Sequence, residues 1–597
     1  MKNNNLLEDA YTLHLKGEYE KAKILYENLL STGLISFELL YLLGSLYLQM
    51  KYVNNAIDLL SRAVQINPKH IESLTNLGSA FRENNNFPSA QNCYEQAIAI
   101  DPTHVDAYFN YGNLLLDMKE PERALQYFDK ALRYRPQYPE AYLNKANAWR
   151  IVGNTSSEKE CLTQAISLNP QYSEAWHKLG LLYKNIGQFQ EALRCYQQAI
   201  LIDKSKPDFY ISLGVVYQEL GDIQRAIISY RQAIELQPDF YSAHHNIGVV
   251  LQQFRQFDQA LNHYQIALNS FPNSYESTFN MAVCLLTIGN YALGWQEYEV
   301  RSKITNISKN FLRSFEAPLW LGDANLAGKT ILLHAEQGLG DTLQFCRYAK
   351  LVAGLGARVL LEVQPALISV LKDIEGVDAM FSIGDPLPPI DYHCPLMSLP
   401  LAFKTTLETI PNQIPYIRAA AHKVAYWSNR LGPRRRLRIG LVWSGGFRPD
   451  QPEVWATNAR RNISLDQIAK LKMEEVDFYS LQKGDPAEQE LRNRQSEVWP
   501  ENNFYNYANE LIDFSDTAGL IENLDLVISV DTSTAHLAGA LGKPVWILNR
   551  FDSCWRWLLD RDDSPWYPTA RLYRQANMGD WDSVLEAVKA DLGKMIK

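Results

Sequence analysis

GSAFRENNNFPSAQNCYEQAIAIDPTHVDAYFNY, residues 78–111, reads as one copy of a repeating unit. It opens on Gly78, places Ala90 twelve residues on and Ala97 seven beyond that, and passes Pro102 before the next unit opens on Gly112. The same 34-residue grid runs through Gly44, Gly78, Gly112, Gly180, Gly214 and Gly248, with Ala146 and Ala282 at the neighbouring grid points. Alanines recur at Ala56, Ala90, Ala124, Ala192, Ala226 and Ala260, and prolines at Pro68, Pro102, Pro136, Pro170, Pro238 and Pro272. Self-similarity at this period means stacked helical hairpins. Two helices approach closely only where side chains are small, which accounts for the Gly and Ala positions. Proline stops the second helix because it cannot continue the hydrogen-bond ladder. Nine units fit between about residues 3 and 308 without an insertion. The first is weaker, with Ala10 and Ala22 on the grid. The last drifts, with Gly294 in place of the alanine and GWQEYEVR (294–301) running on from there.

This pattern resembles the tetratricopeptide repeat (TPR), which implies an all-α superhelix with a concave groove. Two residues before the small grid residue stand Asn76, Asn110, Asn144, Asn246 and Asn280, interrupted by Lys178 and Ser212. That position falls on the first helix of each unit, the one lining the groove. An amide offers one acceptor and two donors, so a ladder of them can grip an extended peptide backbone. It resembles the ladder in the TPR superhelix of eukaryotic O-GlcNAc transferase. The other reading is that each asparagine only caps or solvates its helix.

Past Phe311 the period changes. KTILLH (329–334), ARVLLEV (357–363), MFSI (380–383), YHCPL (392–396), RLRIGLVWSG (436–445), DFYSLQK (477–483), LDLVISVD (524–531) and KPVWIL (543–548) read as apolar strands separated by helices. Such alternation predicts a parallel sheet covered on both faces. The proline-rich PNQIPYI (411–417) reads as a connector. The expected division is a TPR superhelix over 1–308, a linker over 309–328, one Rossmann-like half over 329–420 and a second over 421–597. Ligands in such sheets bind at the carboxyl ends of strands.

Four segments fall at those ends. GLGD (338–341) follows the first strand, with Gly338 and Gly340 suited to a tight turn and Asp341 at a helix start, where Asp is also a good cap. DTSTAH (531–536) ends a buried strand and runs Asp531, Thr532, Ser533 and Thr534 into a helix carrying His536 and small residues. Hydroxyls, free amides and the helix dipole suit a diphosphate there, and a plain run of capping hydroxyls is the alternative. In VWSGG (442–446), Ser444, Gly445 and Gly446 can wrap a phosphate or base, and Lys483 of SLQKGD (480–485) can supply charge. Arg460 and Arg461 either add charge or are a solvated pair. DRD (560–562) reads as a charged turn rather than a metal site, and Trp555, Trp557 and Trp566 read as core.

GLGDTLQFCRYA, DYHCPLMSLPLAF, GLVWSGG, SLQK, DFSDTAGLI, DLVISVDTSTAHLAGALGKPVW and WRWLLDRDDSPWYPTARLYRQ together resemble the family 9, heptosyltransferase-type glycosyltransferases of GT-B fold. The fusion resembles TPR-linked protein O-GlcNAc transferases and the TPR glycosyltransferases that modify bacterial flagellins. The resemblance implies Asp341 as general base, and Asp531, Thr532 and His536 nearest the sugar or phosphates. It implies Ser444, Gln482 and Lys483 on the nucleotide side, with Gly338, Gly340, Gly445 and Ser533 completing the donor site. Heptosyltransferases usually carry Gly where this chain has Ser533. No metal or resident cofactor is implied, because the nucleotide sugar is a substrate.

Composition bounds the rest. Hydrophobic residues at 46% and charged residues at 21% exclude wholesale disorder, and a net charge of -9 argues against a general nucleic-acid binder. No run reaches the length of a membrane span, and MKNNNLLEDAYTLH lacks a secretory core. Seven scattered cysteines without a CxxC pair suit a reducing cytoplasm. The expectation is a cytoplasmic, inverting, metal-independent glycosyltransferase acting on a polypeptide held by the TPR groove. A protein acceptor is favoured because the first Rossmann-like half, of about 90 residues, is small for one that must also bind a lipid-linked acceptor. The alternatives are transfer to a lipid or polysaccharide, and an inactive TPR scaffold.

Overall fold

The computed structural model describes residues 2–33, 35–304, 315–446 and 455–596. The chain divides into two compact units, Met1–Gln237 and Pro238–Lys597.

The first unit is all helical, from α1 (Lys2–Leu15) to α14 (Ile223–Leu236), and the two helices of each repeat pack on one another. The grid glycines explain that packing. A Cβ at Gly78 would sit 2.7 Å from the ring of Tyr94, at Gly112 2.6 Å from Phe128, at Gly180 2.6 Å from Tyr196 and at Gly214 2.4 Å from Tyr230. Each ring stands sixteen residues after its glycine and is fully buried. The glycine therefore marks where an aromatic of the second helix presses on the backbone of the first. Short polar caps start several helices, such as Ser36 on Leu39 N at 3.2 Å and Asp222 on Arg225 N at 3.2 Å.

The second unit opens with four more helices: α15 (Tyr241–Gln253), α16 (Phe257–Ser270), α17 (Tyr275–Thr287) and α18 (Tyr291–Tyr298). A 3-10 turn over Glu299–Lys303 follows. Two parallel sheets come next. Counting helices of seven residues or more among the described residues, the first half runs β1 (Thr330–His334), α19 (Leu339–Phe345), β2 (Arg358–Val363), β3 (Ala379–Ser382) and β4 (Tyr392–Pro395). The second runs α20 (Ala421–Leu431), β5 (Leu437–Val442), α21 (Trp455–Arg461), β6 (Val476–Ser480), α22 (Ala487–Val498), β7 (Phe504–Asn506), α23 (Phe514–Glu522), β8 (Leu526–Val530), α24 (Ser533–Ala540), β9 (Val545–Asn549), β10 (Ala570–Arg574) and α25 (Trp581–Ile596). The strand orders are β3-β2-β1-β4 and β10-β9-β8-β5-β6-β7. Leu332 pairs with Leu360 on one side and His393 on the other; Leu441 pairs with Ser480 and Ile528. The central strands β1, β5, β8 and β9 are buried nearly throughout, as sheets covered on both faces require.

Sequence and structure differ in three places. β5 and β6 end at Val442 and Ser480, three residues before the ends of the apolar runs, because Trp443–Gly445 and Leu481–Lys483 leave the sheet as loops. The strands β7 and β10 were not expected, the first being only three residues long and the second lying in an Arg- and Tyr-rich run. The segment read as a linker is in part fixed structure: Trp320 N donates to His393 O at 2.9 Å and His393 N to Pro318 O at 3.1 Å, so these residues edge β4. Its residues before 315 lie outside the described residues.

The compact unit also reaches back past residue 308 to take in the last two repeats. Tyr291, Trp295 and Tyr298 belong to the same buried cluster as Phe345, Trp555 and Trp566. Trp295 meets Trp555 edge to face with centroids 5.2 Å apart, and its indole donates to Thr405 O at 3.2 Å. The α18 helix therefore ends inside the α/β core.

We expect Gly214→Ala to destabilise the first unit by about 1–3 kcal/mol, the range for forcing a methyl into a packed core. Urea unfolding of the full chain checks this, read on the transition of the repeats.

Candidate functional site

A cleft of about 640 Å³ opens between the carboxyl-end loops of the two sheets. The first sheet contributes 338–341. The second contributes 444–446, 481–483, 511–514, 531–536 and two arginines, Arg461 and Arg556. Every residue expected on the donor side or as base lines it: Gly338, Gly340, Asp341, Ser444, Gly445, Gln482, Lys483, Asp531, Thr532, Ser533 and His536.

Their local roles differ. Gly338 has φ -67 and ψ 164, ordinary extended backbone, and acts as the cap residue of α19; its N–H donates to Asp341 Oδ2 at 2.9 Å. Gly340 matters for contact: a Cβ there would lie 2.8 Å from His536 Cδ2. Gln482 is buried and staples two loops, its Oε1 accepting from Ser444 N at 3.0 Å and its Nε2 donating to Ser444 O at 2.9 Å. Lys483 is exposed and donates to Ala508 O at 2.6 Å. Thr532 caps α24 in position, while its hydroxyl bonds Ser529 Oγ at 2.9 Å. By helix geometry the amides of Ser533 and Thr534 have no intrahelical acceptor.

His536 is 4% exposed. Its Nδ1 lies 2.9 Å from Tyr567 Oη, its Nε2 3.9 Å from Asp531 Oδ1, and Trp557 stacks on its ring at 5.3 Å. Burial pulls its pKa down to about 4, against the opposing pull of Asp531, so at neutral pH it is a neutral imidazole rather than a cation.

Charge in the cleft comes from elsewhere. Arg461, at the end of α21, donates to Asp531 O at 3.1 Å and Asn458 Oδ1 at 2.7 Å. It lies over Gly445, where a Cβ would come within 1.9 Å of its guanidinium. Arg460 instead pairs with Asp552 at 3.0 Å. Arg556, not expected from the sequence, is 8% exposed, stacks on Trp555 at 4.2 Å and donates to Asp341 Oδ1. Burial disfavours its charge, but Asp341 and the other groups around it together hold its pKa above the usual arginine range. The WRW triplet hid it, because three large residues in a row read as packing. Asp560 of the DRD run is exposed and pairs with Arg255 at 2.6 Å, while Trp555, Trp557 and Trp566 are buried. Among the described residues no group of three or more His, Cys, Asp or Glu could hold a metal.

The asparagines occupy the first helices of their repeats and are half-buried. In the first unit, Asn76 on α5 (Ile71–Glu83) donates to Ser45 Oγ at 2.9 Å, and Asn144 on α9 (Pro139–Val152) to Asn113 Oδ1 at 2.8 Å. Asn110 lies on α7 (Val105–Asp117). In the second unit Asn246 lies on α15 and Asn280 on α17. Two of the five amides thus spend a donor bridging consecutive repeats.

The tetratricopeptide repeat family matches residues 36–103, and a family described as the cilia and flagella-associated protein 70 C-terminal domain matches residues 71–283. The N-terminal region is a run of tetratricopeptide repeats. Among curated proteins the chain is similar to Protein FlbA of Caulobacter vibrioides, 26% identical over 338 residues, 52% of this chain and 53% of that one. The chain spans about half the length of that relative. Among solved structures it is similar to the APC/C hetero-tetramer Cut9-Hcn1, at 18% identity and TM-score 0.37 over 47% of this chain and 55% of that chain. It is also similar to MamA, at 26% identity and TM-score 0.26 over 27% and 95% of the two chains. No helix among the described residues is long and apolar enough to cross a membrane.

The buried histidine generates a pH prediction. Between pH 6.5 and about 4 the unfolded chain binds a proton at His536 that the native chain does not, so stability falls as pH drops through that window. Between pH 7 and pH 4 wild type should lose on the order of 3 kcal/mol more than His536→Asn. Denaturant melts at the two pH values check it, and equal losses would contradict it.

Proposed function

We propose that this chain is a glycosyltransferase that takes a sugar from a nucleotide-sugar donor and attaches it to a polypeptide. The observation that carries the reading is the cleft itself. Asp341 and Arg556 pair at its wall, the start of α24 opens into it, and Arg461 and Lys483 also line it. Sugar transfer needs a base for the acceptor and fixed positive or dipolar groups for the leaving diphosphate.

The acceptor hydroxyl attacks the anomeric carbon, the bond from that carbon to the diphosphate oxygen breaks, and the nucleoside diphosphate departs. Asp341 takes the acceptor proton. The amides at the head of α24, with Arg461 and Lys483, hold the departing charge without a metal. Inversion at the anomeric carbon follows from the family resemblance. Arg556 lies where the two tasks meet: it holds Asp341 and offers its guanidinium to the diphosphate. His536 contributes as a neutral ring packed against Gly340, shaping the cleft between Asp341 and Asp531. Asn246 and Asn280 on α15 and α17 are the proposed acceptor-binding amides of the second unit, and Asn76, Asn110 and Asn144 are, taken separately, those of the first. A scaffold without turnover is the second reading. It is favoured by the double engagement of Asp341, which is both helix cap and ion-pair partner.

A thermal-shift series with UDP-, GDP- and ADP-sugars separates the two. One nucleotide class should add about 2.7 kcal/mol of stability to wild type at a hundredfold excess over Kd. Gly445→Ala should abolish most of that gain, because the new methyl displaces the Arg461 guanidinium. Asp341→Asn should keep binding and lose about 100-fold or more of transfer to peptide. No shift with any nucleotide sugar would favour the scaffold, and turnover on glycolipid alone would remove the polypeptide acceptor.

A further inference from the structure

We propose that Tyr298 and Arg301, at the end of the last repeat, are positioning residues for the loop that carries Asp341. The inference rests on the glycosyltransferase reading for its catalytic consequence, but its geometry stands apart from it.

The loop between β1 and α19 is gripped at consecutive residues from outside its own sheet. Arg301 Nη2 and Nε donate to Glu336 Oε1 at 2.7 and 3.3 Å. Gln337 Nε2 donates to Tyr298 Oη at 3.2 Å. The next residue is Gly338, whose N–H holds the Asp341 carboxylate. Tyr298 also reaches Asp341 by a second route. Its ring packs on Trp555 with centroids 6.2 Å apart, Arg556 stacks on that same Trp555, and Arg556 donates to Asp341. One side chain thus touches the neighbour of each holder of the carboxylate, Gln337 beside Gly338 and Trp555 against Arg556.

Magnitudes argue against a simple staple. Trp295 and Tyr291 already bury the apolar seam, each worth several kcal/mol. Arg301 is 2% exposed and shares its charge between Glu299, Glu336 and the Ser398 hydroxyl. Buried ion pairs of this kind add little net stability over apolar packing of equal volume, because desolvation offsets the attraction. Their effect is to fix one geometry, which is what a base needs, since its placement must hold to within about 0.5 Å.

The repeat register marks the departure. Tyr298 stands sixteen residues after Ala282, the position of Tyr230 and Tyr264 in earlier repeats. Those hydroxyls bond inside their own repeat, to Gln218 at 3.0 Å and Gln252 at 2.8 Å. The Tyr298 hydroxyl instead reaches out of the repeat to Gln337.

The test compares full-length Tyr298→Phe and Arg301→Lys with Tyr264→Phe, the same change one repeat earlier. Hydrogen exchange of amides 338–345 should quicken about fivefold or more in the first two variants and stay at the wild-type rate in the third. With a donor sugar in hand, kcat of Tyr298→Phe should fall about tenfold while donor KM stays within about twofold. Unchanged exchange over 338–345, equal quickening in Tyr264→Phe, or an unchanged kcat overturns the positioning role. If no nucleotide sugar binds wild type, the glycosyltransferase reading falls and the exchange comparison alone decides the positioning of the loop.

Discussion

The second unit depends on one seam, in which the side chains of α18 pack against α19 and against loops of the second half. Trp295, Tyr291 and Tyr298 are each no more than 3% exposed, and they meet Phe345, Trp555 and Trp566. Truncating a buried aromatic of this size typically costs about 3–5 kcal/mol, so three of them outweigh any single polar contact nearby. With the seam closed, Arg301 and Tyr298 are carried to Glu336 and Gln337, and Trp555 is pressed beneath Arg556. The polar geometry at Asp341 is therefore downstream of apolar packing between a helical repeat and the helix and loops that flank the sheets.

The same logic runs through the cleft. Gly340 and Gly539 are small because larger residues would strike His536 and Tyr567, at 2.8 and 2.5 Å for a bare Cβ. That closeness lets Tyr567 reach His536 and buries the imidazole so deeply that it stays neutral. Positive charge is left to Arg461, Arg556 and Lys483, which sit on three separate segments of the second half. The cationic side chains of the cleft thus come from the second half, while Asp341 comes from the first.

The repeats were legible because each grid glycine answers one large side chain sixteen residues on, a ring at all but Gly44, which answers Leu60, and that constraint recurs on the 34-residue grid. Most strands were legible because burial on both faces writes continuous apolar runs such as TILLH and LVISV. β7 was not, since a three-residue edge strand has no pattern to show. The cleft residues on glycine- and hydroxyl-rich loops could be read from their place after strands. Arg556 could not, because its partner Asp341 is 215 residues away and nothing local announces the pair. The end of the repeat region was misleading for a related reason. GWQEYEVR drifts from the repeat pattern without showing why, and its aromatic side chains bury against a different fold.

Native-state hydrogen exchange on the full chain tests most directly whether the last repeats belong to the α/β body. The account predicts that amides of α17 and α18 open with those of β1 and α19, at the same free energy and with the same denaturant dependence. Opening of α17 and α18 together with α14, well before β1, would contradict it and return the final repeats to the helical array.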